Sequence, residues 1–495
     1  MEKVVQCGTS VDAAASSSLP GSIAPPLKKS TQVVYGVGSV AYGIKDVAFR
    51  SFLLIYYNQV IGAPAALVSA AIMVALVVDA ISDPVIGQFS DRLKTRWGRR
   101  HPLMYASAIP ASLSFLLLWV PPEGLSGTGL FIYLVLMASL VRTCITFYEI
   151  PSSALAPELT SEYDERTSIA SYRYFFGYVG GLGMSFLTLF VFLHPTEEYP
   201  VGQLNPDGYL MFAVVGALVM IVTVLVSTMG THHRIPYLRQ PDVNKVGFLE
   251  TIRQMRESFS HPGFLAILSF GVLKYTAIGM TGALTLYFGT FFWGLESRQL
   301  ALLALDGVIG ACLALVLAPM VSRRFGKRNS AFWLAVAAVL VAVTPYVLRL
   351  SGWFFENDNP WLLPALFGLQ AVYATCGIAS ATLVHAMIGD VIDESSLRTG
   401  RRAEGLFYAA NSFMQKCVSG LGVLVAGLLL AAVGMPEGTT PDQLDPSIIR
   451  NLVIIYIPAI TLLYIVGASL LAYYRIDRAS HEANVAELKV REGRR

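Results

Sequence analysis

Twelve stretches of this chain stay apolar for long enough to cross a bilayer. They lie at about 35–62, 65–90, 102–121, 130–156, 168–194 and 209–230, and then at about 263–293, 297–321, 330–350, 360–390, 404–434 and 450–474. A crossing helix needs roughly 20 mostly apolar residues, because lipid offers no water to satisfy the backbone and a helix bonds its own polar groups. The breaks between the stretches carry Pro, Gly, Asn and charge, as turns do. The pattern predicts an all-α membrane protein in two sets of six helices, 35–230 and 263–475. The polar segment 231–262 between them includes "VGFLETIRQMRESFSHPGF", which predicts a short amphipathic helix lying on the membrane surface. Residues 1–34 and 476–495 read as tails. The first is rich in Ser, Ala and Pro and has no apolar h-region, so it predicts a disordered tail and not a secretory signal.

Composition agrees. Of 495 residues, 54% are hydrophobic and 14% charged, where soluble proteins carry about a quarter charged; mean hydropathy is +0.57. The net charge of +3 is near balance, so placement matters more than sum. Basic residues gather in alternate loops: Arg92, Lys94, Arg96, Arg99 and Arg100 after span 2, Arg323, Arg324, Lys327 and Arg328 after span 8, Arg398, Arg401 and Arg402 after span 10. Loops 122–129 and 195–208 on the other face carry acids only. The bias predicts both termini in the cytoplasm and a multi-pass protein of the plasma (bacterial inner) membrane. "SDRLKTRWGRR" and "SRRFGKRNS" occupy equivalent places in the two sets of six, which suggests a duplicated transporter. The five cysteines lack metal or redox spacing and read as small apolar residues. No HExxH, GxSxG or His/Cys cluster points to an enzyme or a cofactor, and the C-terminal tail is too short for a signalling domain. The expected partners are a small solute and membrane lipid, with no nucleic acid and no obligate protein partner.

Charges inside the spans carry the chemistry. An ionised group at mid-bilayer costs at least ~2.5–3.5 kcal/mol, so such groups face a cavity or one another. Asp46 lies eleven residues into span 1, roughly 16 Å at 1.5 Å per residue, and Lys416 twelve residues into span 11. Asp79 and Asp83 share one face of span 2 at i, i+4, and Glu149 sits in span 4. These five fall at one depth. Four acids against one interior lysine leave a deficit of positive charge, which predicts a site for H⁺ or Na⁺ at the Asp79–Asp83 pair, balanced against Lys416. Asp83 before Pro84 and Glu149 before Pro151 would, on the plainer reading, only mark helix breaks, and Lys45 would only neutralise Asp46. Arg173, early in span 5, either snorkels to the interface or has a functional role. Asp91, Arg99 and Arg100 predict cytoplasmic bridges that gate the inward-closed state, matched in the second half by Asp390 and Asp393 with the basic run that holds Arg402. His385 reads as packing and not as a proton relay.

Three long motifs, "DAISDPVIGQFSDRLKTRWGRRHPL", "YEIPSSALAPELTSEYDERTSIASYRYFF" and "GDVIDESSLRTGRRAEGLFYAANSFMQK", resemble those of the glycoside–pentoside–hexuronide:cation symporters, a branch of the major facilitator superfamily. The resemblance runs from about Tyr35 to Tyr474. It implies the superfamily fold, twelve transmembrane helices in two six-helix bundles, and cation-coupled uptake of a sugar, glycoside or related polar solute by alternating access. An uncoupled or lysolipid carrier on the same scaffold is the alternative. By position it implies cation-site roles for Asp79, Asp83, Thr146, Glu149 and Lys416. It implies solute contacts for Lys45, Asp46, Glu149, Arg173, Asn411 and Ser412. Two departures stand out: Ser82 replaces an asparagine tied to Na⁺ selectivity in the best-known member, which moves weight toward H⁺, and Ser153 replaces a tryptophan that stacks on that member's galactosyl ring.

Overall fold

The structure is a computed structural model that describes residues 26–160, 162–238, 261–399, 404–476, 480–481, 483–484 and 486–487. The predicted surface helix within 231–262 and the gating candidate Arg402 lie outside the described residues. Among those residues every element is helical. The first half holds α1 (29–60), α2 (Ala65–Arg92), α3 (His101–Leu118), α4 (Gly127–Leu159), α5 (Tyr163–Leu187) and α6 (Pro206–His232). The second holds α7 (Pro262–Tyr287), α8 (Ser297–Leu303 and Asp306–Phe325), α9 (Lys327–Leu350), α10 (Leu362–Thr399), α11 (Glu404–Ala432) and α12 (Pro446–Leu470).

Eleven of these spans are long and apolar enough to cross a membrane; α1 is instead a series of short pieces joined through wide π-type turns at Ala48–Phe52 and Tyr56–Val60. It starts six residues before the apolar pattern does. The polar residues of its first turn are satisfied by the head of α5, where Ser168 Oγ donates to Gln32 Oε1 at 2.6 Å and the Leu27 amide donates to Glu165 Oε1 at 3.2 Å. α6, α7 and α12 begin with a side-chain acceptor followed by proline: Asn205–Pro206, His261–Pro262 and Asp445–Pro446. The proline lacks the amide hydrogen that a helix start leaves unbonded anyway, and the side chain accepts from one of the next amides.

The packing pattern repeats between the halves. α2 packs on α4, α3 on α4, α1 on α5 and α3 on α6; in the second half α8 packs on α10, α9 on α10, α7 on α11 and α9 on α12. Large apolar side chains such as Ile81, Val85, Ile109, Leu315 and Val316 are exposed on the outer surface, where lipid is their solvent. Exposed Trp97 and Tyr473 at the basic end and Trp353 and Trp361 at the other form interfacial anchors. The halves meet along α2 and α11 and between α1 and α7. At the face opposite the basic loops they are tied by neutral hydrogen bonds: Gln59 to the Pro436 carbonyl (2.9 Å), Tyr287 to Asn58 (2.8 Å) and Gln203 to the Leu295 carbonyl (2.6 Å).

At the α7–α11 crossing, Gly279 and Gly422 let the backbones touch. A Cβ on Gly422 would collide with the Thr276 carbonyl oxygen, and one on Gly279 with that of Ser419. Both obstacles are backbone and cannot turn aside. Gly422→Leu is therefore expected to lower the melting temperature of the purified protein by the equivalent of about 1–3 kcal/mol. Gly368→Ala, with open space at its Cβ, should leave it within about 0.5 kcal/mol.

Candidate ion and solute site

The candidate site is built from four helices. On α4, Arg142, Thr146 and Glu149 fall at i, i+4 and i+7, one face of a helix, and that face packs on the Asp79–Asp83 face of α2. Both helices run on through their prolines: α2 continues past Pro84 to Arg92 and α4 past Pro151 to Leu159. Asp83 and Glu149 thus sit within continuous helices, and the plainer reading of them as helix-end residues is set aside.

Asp79 is 2% exposed. Its Oδ2 accepts from Arg142 Nη2 at 2.9 Å and Nε at 3.2 Å. The Thr146 hydroxyl stands 3.1 Å from Asp79 Oδ1, 3.0 Å from Asp83 Oδ1 and 3.0 Å from the Arg142 carbonyl, so its single proton serves one of the three at a time. Lys416 of α11 reaches Asp83 Oδ2 at 3.1 Å and Glu149 Oε1 at 3.2 Å. The other oxygen of Glu149 lies 3.8 Å from Lys45 Nζ, and Lys45 pairs with Asp46 at 3.2 Å. Among the described residues that second oxygen, though buried, has no hydrogen-bond partner. The groups form one chain: Arg142, Asp79, Thr146, Asp83, Lys416, Glu149, Lys45, Asp46.

Arg142 changes the charge count. Sequence reasoning set four acids against one lysine and inferred a missing cation. The structure places three bases, Arg142, Lys416 and buried Lys45, among Asp79, Asp83 and Glu149, while Asp46 keeps 57% of its side chain exposed. Arg142 carries its own signal, an arginine in the middle of an apolar span one turn before Thr146. It also stacks over Phe49, 5.1 Å from the ring centre, which gives the guanidinium an apolar-tolerant face.

Other predicted solute residues are placed differently. Arg173 Nη1 donates to the Tyr35 hydroxyl at 3.2 Å, and that hydroxyl donates to the Ser152 carbonyl at 2.6 Å; Arg173 is held against α1 and makes no ion pair with Glu149 in this arrangement. Asn411 is buried in the second half beside Lys274, Tyr275 and His385, around a space of about 10 Å³. The Ser412 side chain lies outside the described residues. Ser82 turns its hydroxyl back to the Asp79 carbonyl at 3.0 Å and Ser153 turns its own to the Ile150 carbonyl at 2.8 Å. Of the predicted solute residues, only Asp46 lines the large cavity between the halves, a space of about 610 Å³ walled by α1 and α5 on one side and α7, α8, α9, α10 and α12 on the other.

Comparison with known proteins decides the family. Residues 34–478 match the model of the MFS/sugar transport proteins. The chain belongs to that family. It is 27% identical to an uncharacterized symporter of Synechocystis sp. over 95% of this chain and 98% of the relative. It is 24% identical to the isoprimeverose transporter of Lactiplantibacillus pentosus over 82% of this chain and 80% of the relative. Among solved structures, the inward-open xylose transporter XylE of Escherichia coli superposes with a TM-score of 0.60 at 13% identity, covering 90% of this chain and 96% of that one, a likeness of fold alone. This MFS/sugar transport protein is an integral multi-pass membrane transporter and not an enzyme.

The transporter's candidate gating residues form two clusters. Arg100 holds Asp91 at 2.6 Å and Glu158 at 3.1 Å, and Arg99 holds Glu158 at 2.7 Å. Glu158, at the foot of α4, was not picked out from the sequence. In the second half Lys327, heading α9, holds Asp390 at 2.6 Å, and Tyr474 donates to Asp390 at 3.0 Å. Asp390 thus takes its base from the 8–9 loop, where the sequence pointed to the run after span 10; Asp393 is half-buried on the same helix. Each of these bridges closes within one half.

Replacing Arg142 alone strands a buried carboxylate. Arg142→Met should destabilise the protein by about 3–5 kcal/mol. Adding Asp79→Asn should recover most of that loss in the same thermal-melting assay.

Proposed function

We propose that this protein is a cation-coupled symporter for a sugar, glycoside or related polar solute, working by alternating access with both termini in the cytoplasm of a plasma (bacterial inner) membrane. The observation that carries the reading is the unbroken chain of charges from Asp83 through Lys416, Glu149 and Lys45 to Asp46 in the cavity wall. A cation or proton arriving at Asp83 or Glu149 loosens Lys416, and the rearrangement reaches Asp46 through Glu149 and Lys45. Linkage makes the effect mutual, so solute at Asp46 strengthens ion binding by the same factor. The names of relatives, including the isoprimeverose transporter and the glucuronide carrier protein homolog of Escherichia coli, support a sugar-like solute.

Of the two ions, H⁺ suits the site better than Na⁺. Arg142 already supplies positive charge to Asp79 and occupies its Oδ2, which leaves fewer carboxylate oxygens free to coordinate a metal ion. A proton needs only one carboxylate oxygen, and the buried Glu149 oxygen that lacks a hydrogen-bond partner among the described residues is one. The loop bias supports the orientation, since the basic loops and both ends of the described chain share one face.

The balance of three acids and three bases also favours a second reading, an uncoupled carrier that binds solute on the same scaffold. Proteoliposomes separate the two. Under the coupled reading, uphill accumulation collapses with the pH gradient and survives the removal of Na⁺. Asp83→Asn should abolish accumulation while keeping at least about a third of solute exchange. Equilibration of solute with no uphill accumulation under either gradient would establish the carrier instead.

A further inference from the structure

The large cavity contains two charged side chains with no ion-pair partner among the described residues, Arg50 and Asp306. Neither takes part in the chain of charges described above. Arg50 stands one turn beyond Asp46 on α1, inside the wide turn Ala48–Phe52. Asp306 opens the second piece of α8, just past the break at Ala304 and Leu305. Both therefore lie at helix irregularities, where a straight helix would present a different register of side chains to the cavity, and π-type turns such as the one that holds Arg50 occur frequently at functional sites. An unpaired charge at this depth is costly unless it faces a polar space or a ligand.

They also sit where the halves approach. The Arg50 stem crosses onto Gly282 of α7, where an added Cβ would come within 2.7 Å of Arg50 Cγ. Next to Asp306, a Cβ on Gly307 would lie 2.7 Å from the Tyr178 hydroxyl of α5, and Tyr178 lines the same cavity as Arg50 and Asp306. Tyr178 and Tyr373 complete an aromatic wall around the two charges. A guanidinium from one half and a carboxylate from the other, lining one aromatic-walled space, can bind sugar hydroxyls, the first donating and the second accepting, each through two atoms.

We propose that Arg50, Asp306, Tyr178 and Tyr373 form a second solute subsite that holds the further ring of a neutral disaccharide or extended glycoside, with Asp46 at the first. The proposal rests on the sugar-like solute of the previous section and names its class. At about 610 Å³ the cavity exceeds what a single pyranose fills and lies within the range of about 300–1,000 Å³ typical of sites for larger ligands. Lys45 offsets Asp46 and Arg50 offsets Asp306, so the wall has no net positive charge to hold a uronide and suits neutral solutes.

The test is a binding panel on purified full-length protein. It contains methyl glycosides and neutral disaccharides of glucose, galactose and xylose, with the matching methyl glucuronide. The parent protein is expected to bind at least one neutral disaccharide about tenfold or more tighter than the methyl glycosides, and tighter than the uronide. Arg50→Gln and Asp306→Asn should each weaken that disaccharide about tenfold, as loss of a hydrogen bond to a charged group does, and weaken methyl glycosides far less. Melting temperatures without sugar confirm that both variants fold; if either does not, Tyr373→Phe, tested the same way, must weaken the disaccharide selectively. Equal binding by parent and variants, equal losses for one and two rings, or preference for the uronide would overturn the subsite while leaving sugar transport in place. No binding of any sugar by the parent would overturn the sugar reading, and the subsite with it.

Discussion

A carboxylate taken out of water into a bilayer must be neutralised, bonded or protonated, and this constraint organises the centre of the molecule. Asp79, Asp83 and Glu149 are compensated in sequence along a line of alternating sign: Arg142 on Asp79, Lys416 on Asp83 and Glu149, Lys45 on Glu149 and Asp46. Three of the contributing helices, α1, α2 and α4, belong to the first half, and only Lys416 comes from the second. Lys416 is therefore the member of this line whose bonds cross between the halves. In a low-dielectric setting those two bonds weigh more than surface bridges of the same length. Any motion of one half against the other changes them or pivots about them.

This topology gives ion binding a mechanical consequence in the proposed cycle. Neutralising Asp83 or Glu149 removes one of two anchors from Lys416 without removing the other, so the lysine shifts and is not stranded. Arg142 confines the effect: Asp79 stays satisfied whatever happens at Asp83, because the guanidinium contacts Asp79 alone of the two. Thr146, within reach of both carboxylates, is free to follow the change by turning one hydroxyl. Asp79 then serves as the fixed element and Asp83 as the responsive one, though the two look equivalent as i, i+4 neighbours.

How much of this was legible in the sequence follows from what each signal measures. Apolar length marks spans well, so the twelve helices and the two sets of six could be read, but it is blind to helix interruptions. The wide turns of α1 and the break in α8 leave hydropathy unchanged, and for that reason Arg50 and Asp306 were invisible as cavity residues. Depth counting found Asp79, Asp83, Glu149 and Lys416 because spacing converts directly into rise. Arg142 is equally countable by depth, but its partner Asp79 lies on another helix and is defined only by the packing of α2 on α4. Thr146 had no signal beyond resemblance, since a threonine in an apolar helix ordinarily bonds its own backbone, as it also does here to the Arg142 carbonyl. Arg173 and Asn411 show the limit of carrying roles by position: the side chains are where the motif puts them, but they point to Tyr35 and to the Lys274 pocket.

The two ends of the molecule are held by different kinds of bond, and the difference bears on which end yields. At the basic face the charged clusters repeat, with a base at the head of α3 or α9 held by an acid near the foot of α4 or α10, and each closes within its own half. Such bridges stiffen a half as a body and resist nothing when the halves separate. At the opposite face the ties across the halves are neutral hydrogen bonds of Gln59, Asn58, Gln203, Tyr287 and Thr439. Each is worth only about 0.5–1.5 kcal/mol net, and water can replace it once the seam opens. Parting that face therefore breaks no ion pair among the described residues, the one charged contact there being Arg298 over the Phe190 ring, while the stiffened halves keep their internal pairs. In the proposed cycle two such halves rock about the centre, and the strongest bonds they must rearrange are those of Lys416, the bonds that the proposed ion would change.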